Sequence, residues 1–412
     1  MSVVKLLSDE DFTEYTRLSN EAYPVMFSGF TDEQREAWIK RMQVQQSEKG
    51  FVQYTGCFRD GKLVGSMRMH SFEMNVHGRI IKAVGVGNVA VDLTRKKEHV
   101  SKEMMAYYHQ WGLDEGASFA VLWPFRSDFY VKMGYGYGRK MNKYMFRPGD
   151  LPRGSKEGVR FMGTDDVDAL HTCFNDYTRG THGMILKPRS FYERLFRRYK
   201  VVGYEKDGMI EGFIAFKFRK LREDHFLLQN IEVEYLIYHS KEALGRLLAF
   251  LQTQLDQVER IEFTTMDDDL HFLAKDPRNG EPHIFFTSHE SNVQGVGIMY
   301  KVLDKEGFIK KLDHDFNGVS LNVRFNVMDS FRPSNHGGLV AHFEGGKPVP
   351  GESSHDVEVS LNVEWFSSLM MGVVDFRKLW LYGLVEVSDA SYVETLDKLF
   401  HLARKPETIE EF

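Results

Sequence analysis

Apolar positions in the first 150 residues change period several times, and each change predicts an element. Phe12, Tyr15 and Leu18 recur at helical spacing over residues 9–20. Thr31 and Gln34 form the first and last positions of a capping box, opening a helix that runs through Trp38 and Ile39. The pattern then becomes β-rich over Phe51–Phe58 and Leu63–Met69, and Asp60-Gly61 between them predicts a tight hairpin. Ile80–Val91 reads as a further strand interrupted by Gly85 and Gly87. It leads through a polar turn into a helix over about His99–Leu113. Ala117–Trp123 reads as a buried strand, residues 128–132 as a short helix, and Tyr135–Phe146 as a last strand.

The stretch 147–158, RPGDLPRGSKEG, is rich in Pro, Gly and charge and marks a linker. Beyond it the same order returns. Helical spacing covers about 164–177 and 187–198. Val201–Tyr204 and Gly212–Phe216 flank a turn at Lys206-Asp-Gly, and a strand over Leu227–Tyr238 feeds an apolar-periodic helix over Ala243–Leu255, with Arg260–Thr265 as the next strand. From about Gly295 a third pattern begins. Val319–Val327 alternates cleanly, Val340–Gly346 is expected to pair with Val357–Val363, and helices follow at 363–370, 377–382 and 391–402. The expected class is α+β: two similar mixed-sheet units, residues 1–150 and 151–293, then a smaller unit with an antiparallel sheet, residues 294–412.

Composition narrows the function. Of 412 residues, 53 are Lys or Arg and 59 are Asp or Glu, a net charge of -6. Charged residues make up 27%, which argues against global disorder, and the balance gives no overall attraction to nucleic acid or an anionic membrane. Two cysteines, Cys57 and Cys173, are too few for a disulfide scaffold or a cysteine-rich zinc module. The 16 histidines form no HExxH or compact His/carboxylate set, so no metal site is expected. The first dozen residues turn charged before an apolar signal segment can form, and no run of about 18 apolar residues follows, so a cytoplasmic location is expected.

Chemistry concentrates in Val86–Ser101, where a strand ends at a basic turn and a helix begins. Free N–H groups at a helix start bind phosphate, and Arg95, Lys96 and Lys97 add charge, which suits a nucleotide-containing cofactor; a solvated basic turn is the plain alternative. Neither a GxGxxG run nor a Walker signature is present. Downstream, Tyr130 stands just before the glycine-rich turn Met133-Gly-Tyr-Gly136. There its hydroxyl is either a proton donor to a leaving thiolate or a structural group of the core.

The first segment resembles the GNAT N-acetyltransferases, and the whole chain resembles their Eis-type subgroup, the enhanced intracellular survival proteins. That resemblance spans essentially all 412 residues. It implies an N-terminal catalytic GNAT domain, a degenerate GNAT-like domain, and a domain like sterol carrier protein that delivers its tail to the first active site. Acetyl-CoA, the implied co-substrate, would be held by the strand Val89-Ala90-Val91 and the loop residues Lys96, Lys97, His99, Val100 and Ser101. The family pattern is Arg or Gln, two variable residues, Gly, one variable residue, then Gly or Ala. Here Lys96 takes the first position, His99 the first glycine and Ser101 the last. A side chain at His99 has to point away from the pyrophosphate or crowd it.

The resemblance also implies a catalytic pair, with Tyr130 as general acid and the terminal carboxylate of Phe412 as general base. The implied acceptor is a primary amine of a cationic molecule, an aminoglycoside or polyamine-like compound or a protein lysine. Glu411, Phe27 and Trp38 are candidate acceptor-binding residues; solvent exposure for the Glu and ordinary core for the aromatics are the alternatives. Closed homo-oligomers, often hexamers, are implied as well. The Tyr235–Gly245 stretch lacks the basic cluster and reads as structural, and Phe316, Phe325, Phe331 and Trp365 read as core of the third domain. The competing function is a noncatalytic acyl-CoA or lipid-binding sensor, which would need neither Tyr130 nor the Phe412 carboxylate.

Overall fold

The computed structural model describes residues 2–27, 29–47, 51–225, 228–281, 283–285, 287–350 and 354–409. Two compact units form, one from residues 1–138 and 298–405, the other from residues 139–297 and the tail segment that starts at Pro406.

The first unit is built on a seven-stranded sheet in the order Ser2–Leu6, Val52–Arg59, Lys62–Val76, Arg79–Val91, Phe119–Leu122, Met299–Val302, Gly136–Tyr137. Side-chain alternation sorts its two faces. Leu7, Tyr54, Leu63 and Ala90 pack with Phe12, Tyr15 and Leu18 of helix Phe12–Ala22 and Met42 of helix Asp32–Ser47. Cys57, Val64, Met67, Met69, Val84 and Val86 pack with Val100, Met104, Met105 and Tyr108 of helix Val100–Asp114 on the other face. The expected capping box is present: Thr31 N donates to Gln34 Oε1 at 3.0 Å and Gln34 N to Thr31 Oγ1 at 3.2 Å. The hairpin turns at Asp60 (φ 49°) and Gly61 (φ 76°), both left-handed as a two-residue turn requires.

Only Arg79–Val91 and Phe119–Leu122 run parallel in this sheet, and they pair at just three positions, Val84 with Ala120, Gly85 with Val121 and Val86 with Leu122. Beyond Val86 the longer strand continues without that neighbour. On its other side the register jumps from Arg68–Gly87 to Ser66–Ala90, so Met67 faces two residues, a β-bulge. Asn88 sits in the bulge at φ 49°, a region that Asn tolerates, with its Nδ2 donating to Tyr15 Oη at 2.6 Å and Ser19 Oγ at 2.9 Å. The bulge turns the strand away and opens a wedge in the sheet.

Residues 298–405 add a five-stranded sheet in the order Lys347–Pro350, Gly337–Glu344, Leu321–Met328, Val357–Asn362, Val385–Val387. The alternation expected around 319–327 appears as buried Leu321, Val323, Phe325 and Val327. The expected pairing of 340–346 with 357–363 does not occur. A turn at Gly345 and Gly346 (φ 55° and 86°) folds Lys347–Pro350 back onto Gly337–Glu344 and takes that edge. Val357–Asn362 therefore pairs with the far side of Leu321–Met328, in parallel, and the sheet is mixed rather than antiparallel. Phe316, Phe325, Phe343, Phe366 and Phe400 make its aromatic core through edge-on ring contacts 5.4–6.0 Å apart.

The second unit repeats the first. Its sheet runs Asn292–Gly295, Met141–Phe146, Ile261–Thr265, Gln229–Tyr238, Met209–Lys220, Lys200–Lys206, Val159–Phe161. Again one parallel pair has three positions, Ile231–Ile261 to Val233–Phe263, and again the register slips just beyond it, from Phe216–Val233 to Ala215–Tyr235. Two strands lie outside the divisions expected at 150 and 293. The single strand expected over Tyr135–Phe146 is broken at Gly138, whose N–H donates to Ile298 O at 2.8 Å and whose site has no room for a Cβ beside that carbonyl. Met141–Phe146 consequently belongs to the second sheet, and Met299–Val302 completes the first. No helix among the described residues is long and apolar enough to cross a membrane.

Gly136 marks the closest approach in the first unit. A Cβ there would overlap Glu364 O and Ser368 Oγ of helix Val363–Met370, so only glycine lets the helix backbone lie against the strand. Gly136→Ala is expected to destabilise the protein by about 3 kcal/mol, at the upper end of overpacking costs because backbone must move. A thermal melt checks it; an unchanged Tm would contradict this packing.

Candidate functional site

The wedge opens into a cavity of about 950 Å³. Val89 and Val91 of the departing strand form one wall, the turn Leu93–Lys97 and the helix start at His99–Lys102 a second, and Phe125, Arg126, Phe129, Lys132 and Met133 a third. Ala90 alternates to the opposite face and is buried against Tyr15 and Tyr54, so of the expected Val89-Ala90-Val91 set only its backbone is on the cavity side of the sheet.

The helix Val100–Asp114 is 15 residues long and its N-terminus makes no side-chain cap hydrogen bond. The first intrahelical bond runs from Glu103 N to His99 O at 3.0 Å, so the N–H groups of Val100, Ser101 and Lys102 lack helical acceptors. These donors, with the positive end of the helix dipole, face a cavity bearing Lys96, Lys97, Lys102 and Lys132, for which no ion pair occurs among the described residues. Arg95 and Arg126 line the same space, each paired with a nearby carboxylate, Glu98 at 3.6 Å and Asp128 at 2.6 Å. Such a donor set fits a pyrophosphate. His99, at the position where the family pattern has glycine, adopts the left-handed conformation that glycine would supply (φ 63°, ψ 10°) and is exposed, and Lys97 is left-handed too (φ 70°).

Tyr130 lies in the short helix Ser127–Val131 and is 3% exposed. It does not itself line the cavity; its ring packs edge-on against Phe125, Phe129 and Tyr135, and Phe125 and Phe129 do line it. Burial raises its hydroxyl pKa well above the ordinary tyrosine value, with a further push from Tyr23, so the group is protonated at neutral pH. Tyr23 is the residue that sequence reasoning missed. It ends helix Phe12–Ala22, lines the cavity, donates from its hydroxyl to Val89 O at 2.8 Å, and has its pKa pushed up to about 12, mainly by burial. The Tyr23-Pro24 helix stop was its only signal.

The remaining expected residues separate from this group. Trp38 packs against Tyr15 and Phe30 at 6.2 and 6.3 Å between ring centres, in the cluster on the opposite face of the sheet, and is not part of the cavity wall. The side chain of Phe27, and Glu411 and Phe412 entirely, lie outside the described residues. The tail before them is held in the second unit. Glu407 N donates to His182 O at 2.7 Å, Thr408 is fully buried with its hydroxyl on Gly183 O at 2.8 Å, and Ile409 packs against the core cluster that includes Leu170 and Phe174. Phe331, read from sequence as core, instead lines the cavity together with Ser330.

The second unit's counterpart site is closed. Ser240 caps its helix Lys241–Gln252, accepting from Ala243 N at 3.1 Å, and donates to Glu211 at 3.0 Å. An acidic neighbour and a satisfied cap replace free donors and lysines. Its wedge is reduced to about 70 Å³, lined in part by Tyr177, Glu407 and Ile409. Burial raises both thiols, Cys57 to about 11 with help from Glu103 and Cys173 to about 12, so neither is a thiolate at neutral pH. Among the described residues no group of three or more His, Cys, Asp or Glu is placed to hold a metal ion.

Comparison with known proteins agrees with this geometry. Residues 3–138 and 183–293 match models of acetyltransferase (GNAT) domains, and residues 306–408 match the sterol carrier protein domain. No match was found among curated proteins. Similar solved structures include a probable N-acyltransferase from Enterococcus faecalis (16% identity, TM-score 0.81), a GCN5-related N-acetyltransferase from Anabaena variabilis (14%, 0.82) and Eis1 from Mycobacterium abscessus (18%, 0.78). Each comparison covers 100% of both chains, and at these identities the likeness is one of fold.

A GNAT fold implies acetyl-CoA binding, and that makes the strain at His99 measurable. His99→Gly is expected to relieve about 1 kcal/mol of left-handed strain, raising Tm. Opening the approach to the helix start should also tighten acetyl-CoA binding about fivefold, read by calorimetry. Weaker binding in the glycine variant would mean that the imidazole itself contacts the ligand. The open wedge and uncapped helix start of the first unit, the two GNAT domain matches and the sterol carrier match together make this chain a GNAT-family acetyltransferase with tandem GNAT domains and a C-terminal sterol carrier protein domain.

Proposed function

We propose that the chain transfers the acetyl group of acetyl-CoA to a primary amine of a cationic acceptor, an aminoglycoside, a polyamine-like molecule or a lysine side chain, by direct attack in a ternary complex. The observation that carries this reading is the uncapped helix start at Val100–Lys102, set among lysines at the mouth of a cavity of about 950 Å³. Acetyl-CoA supplies an activated thioester. The backbone N–H groups of Val100, Ser101 and Lys102 and the ammonium groups of Lys96 and Lys97 would hold its pyrophosphate. Val89 and Val91 would flank the pantetheine arm.

In this reading Tyr130 is the general acid and the Phe412 carboxylate the general base. The carboxylate takes a proton from the acceptor ammonium, directly or through water. The amine nitrogen bonds to the thioester carbon as the carbon–sulfur bond breaks, Tyr130 gives its proton to the departing sulfur, and the second proton that the new amide nitrogen sheds returns to the tyrosinate, directly or through water. Burial keeps Tyr130 protonated and therefore in the state a donor needs. The tail before the last residues is anchored in the second unit through Glu407, Thr408 and Ile409. The cationic acceptor rests on the Eis-type resemblance, and self-association, with a hexamer as one closed form, is part of the same proposal.

Thiol release from acetyl-CoA in the presence of aminoglycoside and polyamine acceptors tests the pair. Tyr130→Phe is expected to lower kcat by about 100-fold or more, whereas Tyr23→Phe changes it by less than about tenfold because its hydroxyl is committed to Val89 O. Deleting Phe412 should abolish acceptor-dependent turnover while Tm is retained; undiminished turnover would remove the base assignment. The pH profile carries a separate sign. A donor whose pKa lies above its ordinary value of 10.0 is intact at every lower pH, so kcat/KM should rise as the acceptor amine deprotonates and hold level to about pH 10. A fall beginning near pH 8 would contradict Tyr130 as the acid.

A further inference from the structure

Strand Met299–Val302 lies fully buried between Phe119–Leu122 and Gly136–Tyr137, and it places a lysine inside the core. Lys301 Nζ donates to Met133 O at 2.8 Å and pairs with Asp329 Oδ2 at 3.0 Å; neither side chain of the pair is exposed at all. The partners belong to two functional segments. Met133 closes the turn that follows Tyr130 and lines the cavity. Asp329 opens the loop Asp329–Arg332 of the sterol carrier domain, where its Oδ1 accepts the backbone N–H of Phe331 at 3.1 Å and of Arg332 at 2.8 Å. Asn335 Nδ2 reaches its other oxygen at 3.3 Å.

The loop is thereby pinned in one shape, and that shape puts Ser330 and Phe331 into the cavity wall. The Phe331 ring stands 5.4 Å from Lys301 Nζ and meets His109 edge-on at 5.2 Å, so the ring is fixed on its inner side while its outer side faces the cavity. A buried charged pair is a costly way to hold a loop, and one of well-packed apolar residues would serve stability as well. Its distinguishing product is a set of directional bonds that ties the Met133 carbonyl and two loop N–H groups to one point.

We propose that Phe331 is a cofactor-contacting residue supplied by the sterol carrier domain, and that Lys301 and Asp329 are positioning residues that hold it and the Tyr130–Gly134 turn in register. The third domain is then part of the acetyl-CoA site. This rests on the acetyl-CoA reading of the cavity and deepens it.

The test is a double-mutant cycle on the full chain, read by acetyl-CoA titration calorimetry, by KM and kcat for acetyl-CoA, and by thermal melts. Phe331→Ala is expected to raise KM and Kd for acetyl-CoA about tenfold, the loss of roughly one aromatic contact, with kcat within twofold and Tm lowered because the ring's inner side is packed against the core. Asp329→Ala should raise KM by a similar factor, and the combined variant should be no weaker than Asp329→Ala alone, because both changes remove one contact. Asp329→Asn keeps an acceptor for the loop N–H groups and should recover most of the affinity; it also serves if Asp329→Ala does not fold. An unchanged KM in Phe331→Ala, or effects that simply multiply, would overturn the proposal while leaving the acetyltransferase reading intact. A native chain that binds no acetyl-CoA would overturn both.

Discussion

Two parallel strands that keep company for only three residue pairs govern the rest of the first unit. After Val86 and Leu122 the backbone of Gly87–Val91 has no parallel neighbour, and the bulge opposite Met67 turns it aside. An open seam in a sheet exposes polar backbone that needs partners. Part of the need is met locally, by the Tyr23 hydroxyl on Val89 O, while the Asn88 side chain, bonded to Tyr15 and Ser19, fixes the bulge. The remainder is a cavity floor, and the helix that follows begins at its edge with donors uncommitted. The cavity and the fold therefore arise from one irregularity. A sheet paired to its ends would be more regular and would hold nothing.

The second unit shows what the same plan becomes when that need is met from within. It has the same three-position parallel pair and a comparable register slip, yet Ser240 caps the helix, Glu211 stands behind the cap, and Glu407 and Ile409 of the tail line what is left of the wedge. The difference between an anion site and a structural copy lies in a few side chains at one helix start. A cap that accepts from the third N–H and an acidic neighbour together remove both the donors and the field a phosphate would use.

The local elements were legible because their signals are local. Asp60-Gly61, Lys206-Asp-Gly and the Thr31–Gln34 box each fix a turn or helix start within four residues, and each is found where expected. The basic loop and helix start were legible for the same reason. Strand partnership was not, since hydrophobic alternation says which face is buried but not which neighbour is taken. Met141–Phe146 and Met299–Val302 read as ends of their own segments, yet serve in sheets set by long-range pairing, and the Val357–Asn362 strand found a parallel partner because Lys347–Pro350 had filled the other edge. Within the site, Tyr23 went unread and Phe331 was read as core, because each comes from a segment remote in sequence from the loop it joins and an aromatic in an ordinary context reads as core. Lys301, amid the apolar run Ile298–Leu303, was the one available hint of a buried polar tie.

In the proposed function, the first helix start and its lysines recognise the phosphate-bearing half of the acetyl donor. Calorimetric titration of the native chain with acetyl-CoA and with acetyl-pantetheine, which carries the same thioester and arm without pyrophosphate or nucleotide, addresses it directly. Acetyl-CoA is expected to bind, and acetyl-pantetheine to bind at least about 100-fold more weakly, the loss of several charge-assisted hydrogen bonds. Equal affinity for the two would contradict it, because the ligand would then be held by the apolar walls and the uncapped helix would have no part in recognition.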